Sequence, residues 1–152
     1  MGRFMSRNNI TSHLASLCSL ALVSILCGCT VEVDTKVKMV DGNNPPTFKL
    51  SGTGVRPYFT VRGPYAASDK VAKEEPIWAI TPDESLEHEW LSNLPLITYG
   101  KVPTNFKQLY PKNGDAPKLE EGKFYNVYVR VLSAEGGGTC FGISQGKAIP
   151  CP

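Results

Sequence analysis

The chain has 152 residues, of which 41% are apolar and 20% are charged, with 14 Gly and 12 Pro. This composition fits one ordinary globular domain and excludes a disordered or coiled-coil protein. Sixteen basic against 14 acidic residues exclude a strongly polycationic nucleic-acid binder, so no nucleic acid is expected as a partner. After residue 28 the remaining chain is long enough for a modest core but too short for most two-domain enzymes.

Residues 1–28 have the pattern of a secretory signal peptide. Arg3 and Arg7 lie in a polar start, an apolar run covers Leu14–Leu26, and small residues follow it. A helix over this run is about 20 Å long. The hydrocarbon core of a bilayer is about 30 Å thick, which takes about 20 apolar residues to cross. The segment is therefore predicted to be a helical signal peptide that is cleaved.

The signal segment ends in Leu26-Cys27-Gly28-Cys29. This motif resembles the lipobox of bacterial lipoproteins, in which a Leu stands three residues before an acceptor Cys and a small residue stands directly before it. The resemblance implies cleavage between Gly28 and Cys29 and lipidation of Cys29. Two or more acyl chains then hold a protein stably to a membrane. A non-cleaved anchor and an ordinary signal peptide are the alternatives.

Thr30 follows the acceptor at the position where retention in the inner membrane of Gram-negative bacteria usually requires Asp. The lipoprotein resemblance therefore implies an exported protein that is anchored to the outer membrane, on its periplasmic or its surface side. In a host without an outer membrane, the anchor would lie in the cytoplasmic membrane. The membrane, reached through the covalent lipid, is the first expected partner.

The five cysteines divide between the signal segment, the lipid anchor and one remaining pair. Cys140 and Cys151 are the thiols left after export, and the compartment outside the cytoplasm is oxidising. A disulfide between them closes a loop of about a dozen residues, which stabilises the folded state by roughly 3 kcal/mol. Two thiols and a single His88 do not make a four-ligand zinc set. A disulfide is therefore predicted, with no metal and no cofactor.

Short apolar segments separated by Gly and Pro dominate the chain after the signal. Strands are predicted at Val31–Met39, 47–52, 57–63, 77–80, 96–99, 106–110, 125–131 and 139–144. Gly52-Thr53-Gly54 and Gly136-Gly137-Gly138 are predicted hairpin turns. Thr81-Pro82-Asp83-Glu84 has the pattern of a capping box and predicts a short helix over Pro82–Leu91, with a plain loop as the alternative.

The clearest alternation lies in Leu119–Val131, where Tyr125, Val127 and Val129 share one face. With Leu119 and a Gly122 turn before it, this segment resembles strand F of fibronectin type III domains, which carries the tyrosine corner. The resemblance implies a mainly β, immunoglobulin-like or fibronectin-like sandwich with at most one short helix. Its expected bounds are residues 45–152, preceded by a lipidated segment, 29–44, that holds the first strand. A small closed barrel is the alternative.

Few residues can support catalysis. His88 lies between Glu87 and Glu89, and consecutive side chains point apart, so the three do not converge easily on one ion. With one histidine and no free thiol after export, the chain has few parts for an acid–base or nucleophilic site. A small cell-envelope hydrolase or carbohydrate-active protein therefore remains only the alternative function.

Loops on a rigid β-frame are common places for binding residues. A candidate binding loop follows the Ile77–Ile80 strand, and its candidate residues are Asp83, Glu84, Glu87, His88 and Trp90. Tyr128 and Phe124, opposite Tyr125, would suit a carbohydrate or protein surface if no neighbouring loop covers them. The sequence thus predicts a membrane-anchored binding or structural module without catalysis, its partner an envelope protein or polysaccharide.

Overall fold

The computed structural model describes residues 35–66, 75–86, 88–132 and 134–152. These residues belong to one unit that spans Val33–Pro152. The signal segment, the lipobox with Cys29, residues 31–34 of the first predicted strand and Glu87 of the candidate loop lie outside the described residues.

Strands account for most of the described chain. In chain order they are β1 Lys36–Asp41, β2 Thr47–Ser51, β3 Val55–Tyr65, β4 Pro76–Pro82, β5 Ile97–Thr98, β6 Phe106–Tyr110, β7 Phe124–Leu132, β8 Gly137–Ser144 and β9 Lys147–Pro150. Two 3₁₀ turns, Glu84–Leu86 and Leu91–Asn93, are the helical pieces of the described residues. The predicted mainly β class is therefore confirmed.

The strands form two antiparallel sheets in a sandwich-like arrangement. One sheet has the order β1-β2-β5 and the other the order β6-β4-β3-β7-β8-β9. These neighbours match strands A-B-E and C′-C-F-G of immunoglobulin-type sandwiches, with β6 and β9 added at the two edges of the second sheet. The predicted sandwich is therefore the observed fold, and β1 is its first strand.

Aromatic rings join the two sheets. Phe48 of β2 lies 5.7 Å, between ring centroids, from both Phe59 of β3 and Phe141 of β8. Trp78 of β4 meets Phe59 edge-on at 5.9 Å, and all four side chains are fully buried. Burial of large rings removes much apolar area from water and stabilises the contact between the sheets.

The tyrosine corner is present at the start of β7. The Glu120 backbone N–H donates a hydrogen bond to Tyr125 Oη at 2.8 Å, and the Tyr125 ring stacks on Phe141 at 5.3 Å. Burial raises the pKa of the Tyr125 hydroxyl, and the hydrogen bond from Glu120 opposes that rise. The prediction made from Leu119–Val131 is thus confirmed.

The predicted capped helix after β4 is wrong, and the loop alternative is the one observed. β4 continues to Pro82, and the Thr81 hydroxyl donates to the Pro57 carbonyl at 3.2 Å instead of capping a helix. Asp83 Oδ1 accepts hydrogen bonds from the Ser85 N–H at 2.9 Å and from its hydroxyl at 2.6 Å. This Asx turn stabilises a single 3₁₀ turn, because it satisfies the first free backbone donor locally.

The predicted hairpin at Gly52-Thr53-Gly54 is also wrong, whereas the second predicted hairpin is present as the antiparallel pair β7–β8. The segment 52–54 carries the chain from one sheet to the other, because β2 pairs with β1 and β5 whereas β3 pairs with β4 and β7. Gly54 is needed there, since a Cβ would lie 2.6 Å from Val131 Cγ2. In that second hairpin the predicted turn is misplaced, because Gly137 and Gly138 belong to β8. The strand it leads into is not the last one, since β9 pairs with β8 after a turn at Gln145-Gly146.

Candidate binding surface

The predicted binding loop divides into two places in the structure. Asp83 and Glu84 line a shallow cleft of about 350 Å³ with Ser85 and Lys107. The Asp83 carboxylate already accepts both Ser85 hydrogen bonds, so it is committed to the turn. This cleft brings two of the five predicted residues together.

The other described residues of the loop do not line that cleft. His88 is exposed, and Trp90 has 52% of its surface exposed. Trp90 forms an isolated antiparallel bridge with Val55, the first residue of β3. It therefore continues the six-stranded sheet, while the binding role of the loop as a whole stays a prediction.

The cysteine pair lies at the edge of the same sheet. The sulfur atoms of Cys140 and Cys151 are within bonding distance, and their Cα atoms are 5.6 Å apart, inside the usual range for a disulfide. The Cys151 N–H also donates to the Cys140 carbonyl at 3.4 Å. The pair joins β8 to the residue after β9, as the cysteine pattern predicted.

A second cleft, also of about 350 Å³, lies beside Tyr99, Asn44 and Pro117. The Tyr99 hydroxyl donates to the Pro117 carbonyl at 2.8 Å, and its ring meets Trp78 at 5.4 Å. Burial, followed by the neighbouring Tyr125, raises the pKa of the Tyr99 hydroxyl. Tyr99 therefore stays neutral and ties the segment before β7 to the core, which is a structural task.

Among the residues that the structure describes, no three His, Cys, Asp or Glu side chains lie close enough together to hold a metal ion. Within the same ranges, no helix has the length and apolar character needed to cross a membrane.

The outward face of the six-stranded sheet carries most of the exposed apolar surface. In the described chain ten large hydrophobic side chains are exposed, and seven of them belong to this sheet or to the residue bridged to it. The seven are Tyr58, Trp90, Leu109, Tyr110, Tyr128, Leu132 and Ile149. Such a concentration on one face is typical of an interaction surface.

Strand register places the tyrosines in order across the sheet. Tyr110, Ala79, Thr60 and Tyr128 are successive cross-strand partners on β6, β4, β3 and β7. Cross-strand partners share a face, and three strand spacings separate the two tyrosines by about 14 Å. The two small residues between them are buried, so the tyrosines provide the exposed area of this row.

Arginines lie beside these tyrosines. Tyr58 is the cross-strand partner of Arg130, and Arg62 Cζ lies 5.4 Å from the centroid of the Tyr128 ring. A guanidinium group near an aromatic ring gains a cation–π attraction. We name this surface the tyrosine face; it consists of Tyr58, Tyr110, Tyr128, Arg62 and Arg130.

Glycines allow the rings of β7 to lie close to the sheet. A Cβ at Gly138 would be 3.4 Å from Tyr128 Cδ1, and a Cβ at Gly142 would be 2.8 Å from Phe124 Cε1. Both rings therefore lie over the glycine backbone of β8. Tyr128 remains 41% exposed, so it offers a broad aromatic surface close to the backbone.

The charge on this sheet has one sign. The strands β3, β4, β6, β7, β8 and β9 contain no Asp or Glu, although the chain has 14 of them. The same strands contain five cationic residues: Arg56, Arg62, Lys107, Arg130 and Lys147. The sheet is therefore aromatic and cationic, and it favours anionic groups over cationic ones.

Comparisons of the chain with protein-family models, with curated proteins and with solved structures found no match. The candidate site therefore depends on geometry. Of its residues, the alternation of β7 indicated Tyr128, whereas Tyr58 and Tyr110 were missed. A signal for Tyr58 exists in the sequence, since it directly precedes the inward-facing Phe59, and alternation puts neighbours on opposite faces.

Proposed function

We propose that the protein is a lipid-anchored, non-catalytic binding module of the cell envelope, which holds an envelope protein or polysaccharide on its tyrosine face. The observation that carries this proposal is the grouping of exposed tyrosines, with arginines beside them, on six strands without a carboxylate. Tyr and Arg are the residues most often found at the centres of binding surfaces.

The anchor in this proposal is the lipid on Cys29, which the Leu26-Cys27-Gly28-Cys29 motif supports. Thr35, the first described residue, follows Cys29 by six positions, a stretch that spans at most about 20 Å. The tether is thus short, and it would keep the sandwich near its membrane. Thr30 supports the outer membrane as the location. The hydrolase alternative has no supporting geometry among the described residues.

Chemical crosslinking in intact cells, followed by purification of the protein, tests the binding surface. Three versions are compared: wild type, the Tyr58→Ser/Tyr128→Ser variant, and a version in which Gly and Ser replace residues 83–90 while the buried Leu91 is kept. We expect the double variant to lose the crosslinked partner because it removes two exposed rings. The loop replacement should retain that partner.

Loss of the partner only in the loop version would contradict the tyrosine face and support the loop predicted from sequence. Retention in all three versions would contradict both surfaces. Equal far-UV circular dichroism spectra and similar thermal midpoints of all three versions serve as the control for folding.

A further inference from the structure

We propose that the ligand of the tyrosine face is an anionic polysaccharide, a linear polymer whose sugar rings carry carboxylate groups. This inference rests on the proposed function, because it names the chemical class of the ligand at the same surface. It depends on three separate properties of the face: the orientation of its rings, the spacing between them and the sign of its charge.

The orientation of the rings is suited to contact with a sugar ring. Tyr128 lies over Gly138, with the Arg62 guanidinium over its ring at 5.4 Å from the centroid, and Phe124, next to the tyrosine face, lies over Gly142. A ring that lies along a sheet offers the uncovered part of its flat side to the apolar C–H face of a sugar ring. A protein partner, by contrast, typically inserts anchor side chains into pockets. The two clefts described above are lined by other residues.

The spacing of the rings suits a polymer. About 14 Å separates the strand positions of Tyr110 and Tyr128, measured as three strand spacings. Tyr58 lies two residues from Thr60 on the strand between them. A single sugar cannot reach all three tyrosines, whereas several units of a linear chain can contact them together.

The charge makes the polymer an acidic one. Arg130 is the cross-strand partner of Tyr58, and Arg62 lies beside Tyr128, so that a cation accompanies each of these two rings. The planar guanidinium group binds carboxylates through two parallel hydrogen bonds. No carboxylate occurs in the strands of this sheet, so an acidic ligand meets no repulsion from them.

The experiment uses the lipidated protein extracted in detergent and two uronic acid polymers, polygalacturonate and alginate. Fully methyl-esterified polygalacturonate is the matched neutral polymer, because it keeps the sugar backbone and removes the charge. Binding is measured by titration calorimetry at low and high salt. We expect the protein to bind at least one acidic polymer. Its affinity for the ester should be about tenfold lower, because the ester cannot form the charged hydrogen bond. High salt should weaken the acidic complex.

Variants separate the two contributions. Arg62→Gln and Arg130→Gln should each weaken binding of the acidic polymer by about tenfold and leave binding of the ester unchanged. Tyr128→Ala should weaken binding of both polymers by about tenfold, and Tyr128→Phe should restore it because the ring remains. Val40→Ala, a change at an exposed position on β1 in the other sheet, is the control and should have no effect.

No binding to either acidic polymer, or equal binding to the acid and its ester, would overturn this inference. So would binding that the arginine and tyrosine variants leave unchanged. If the crosslinked partner in cells is a protein that depends on Tyr58 and Tyr128, the polysaccharide is wrong while the proposed function stands. If the tyrosine variants change neither the cellular partner nor polymer binding, both proposals fail. Binding to phosphatidylglycerol vesicles in place of the polymers would assign the face to a membrane surface and overturn the polysaccharide.

Discussion

The Cys29→Ala variant is expected to lose metabolic labelling by a palmitate analogue completely. Acyl attachment in lipoproteins begins at the sulfur of the acceptor cysteine, and alanine offers no atom for that bond. The loss of labelling should therefore be all-or-none. With it the variant loses the acyl chains on which stable membrane binding of the cleaved protein depends.

Cys27→Ala is the matched control for this experiment. It removes the neighbouring sulfur but keeps Leu26, Gly28 and the acceptor Cys29. Its labelling and its membrane fraction should equal those of wild type. Equal labelling of wild type and Cys29→Ala would exclude Cys29 as the acceptor, and loss of labelling in Cys27→Ala alone would move the acceptor to that residue.

The Trp78→Ala variant is expected to lower the free energy of unfolding by about 3–5 kcal/mol. The Trp78 side chain is fully buried, and its ring meets Phe59 and Tyr99 edge-on at 5.9 and 5.4 Å. Its Nε1 also donates to Gln108 Oε1 at 3.0 Å, so the change leaves a polar group without its partner. Total stabilities of about 5–15 kcal/mol make this loss severe.

Urea denaturation of the detergent-extracted protein, followed by circular dichroism, measures this loss as a lower midpoint with an unchanged m-value. Trp90→Ala is the control, because the exposed fraction of Trp90 is 52%. The control should change the free energy of unfolding by less than about 1 kcal/mol. Similar losses in the two variants would contradict the assignment of Trp78 to the core.

The sandwich could be predicted from the sequence because its strands alternate clearly. Tyr125, Val127 and Val129 were assigned to one face of β7, and all three are buried in the structure. The tyrosine corner followed from the same segment, since the turn at Gly122 returns the backbone of Glu120 to the Tyr125 hydroxyl. Local periodicity and turn chemistry were sufficient for these elements.

The connections between strands could not be predicted in the same way. Gly52-Thr53-Gly54 has the composition of a hairpin turn, yet β2 and β3 pair with different strands far away in the chain. Gly137 was predicted to be part of a turn, but it lies in β8, where its backbone is close to that of Thr35. Both outcomes depend on partners distant in sequence, which periodicity does not contain.

The candidate surface was only partly visible in the sequence for the same reason. Tyr128 could be assigned to the face opposite Tyr125 from alternation alone. The face of Tyr110 could not be assigned in this way. Gln108 pairs with Ile80, and a register shift between β4 and β6 then makes Tyr110 the partner of Ala79. The absence of Asp and Glu becomes informative only when the six strands are known to form one sheet.

Site-specific photocrosslinking in intact cells tests most directly whether the tyrosine face is the binding surface of a lipid-anchored module. A photoreactive phenylalanine derivative is placed at position 58, 128 or 40, in three separate versions. Tyr58, Tyr128 and Val40 are all exposed, but Val40 lies on β1 in the other sheet. We expect one envelope component to be crosslinked from positions 58 and 128 and to be absent from position 40. The same component crosslinked equally from all three positions, or from position 40 alone, would contradict this expectation.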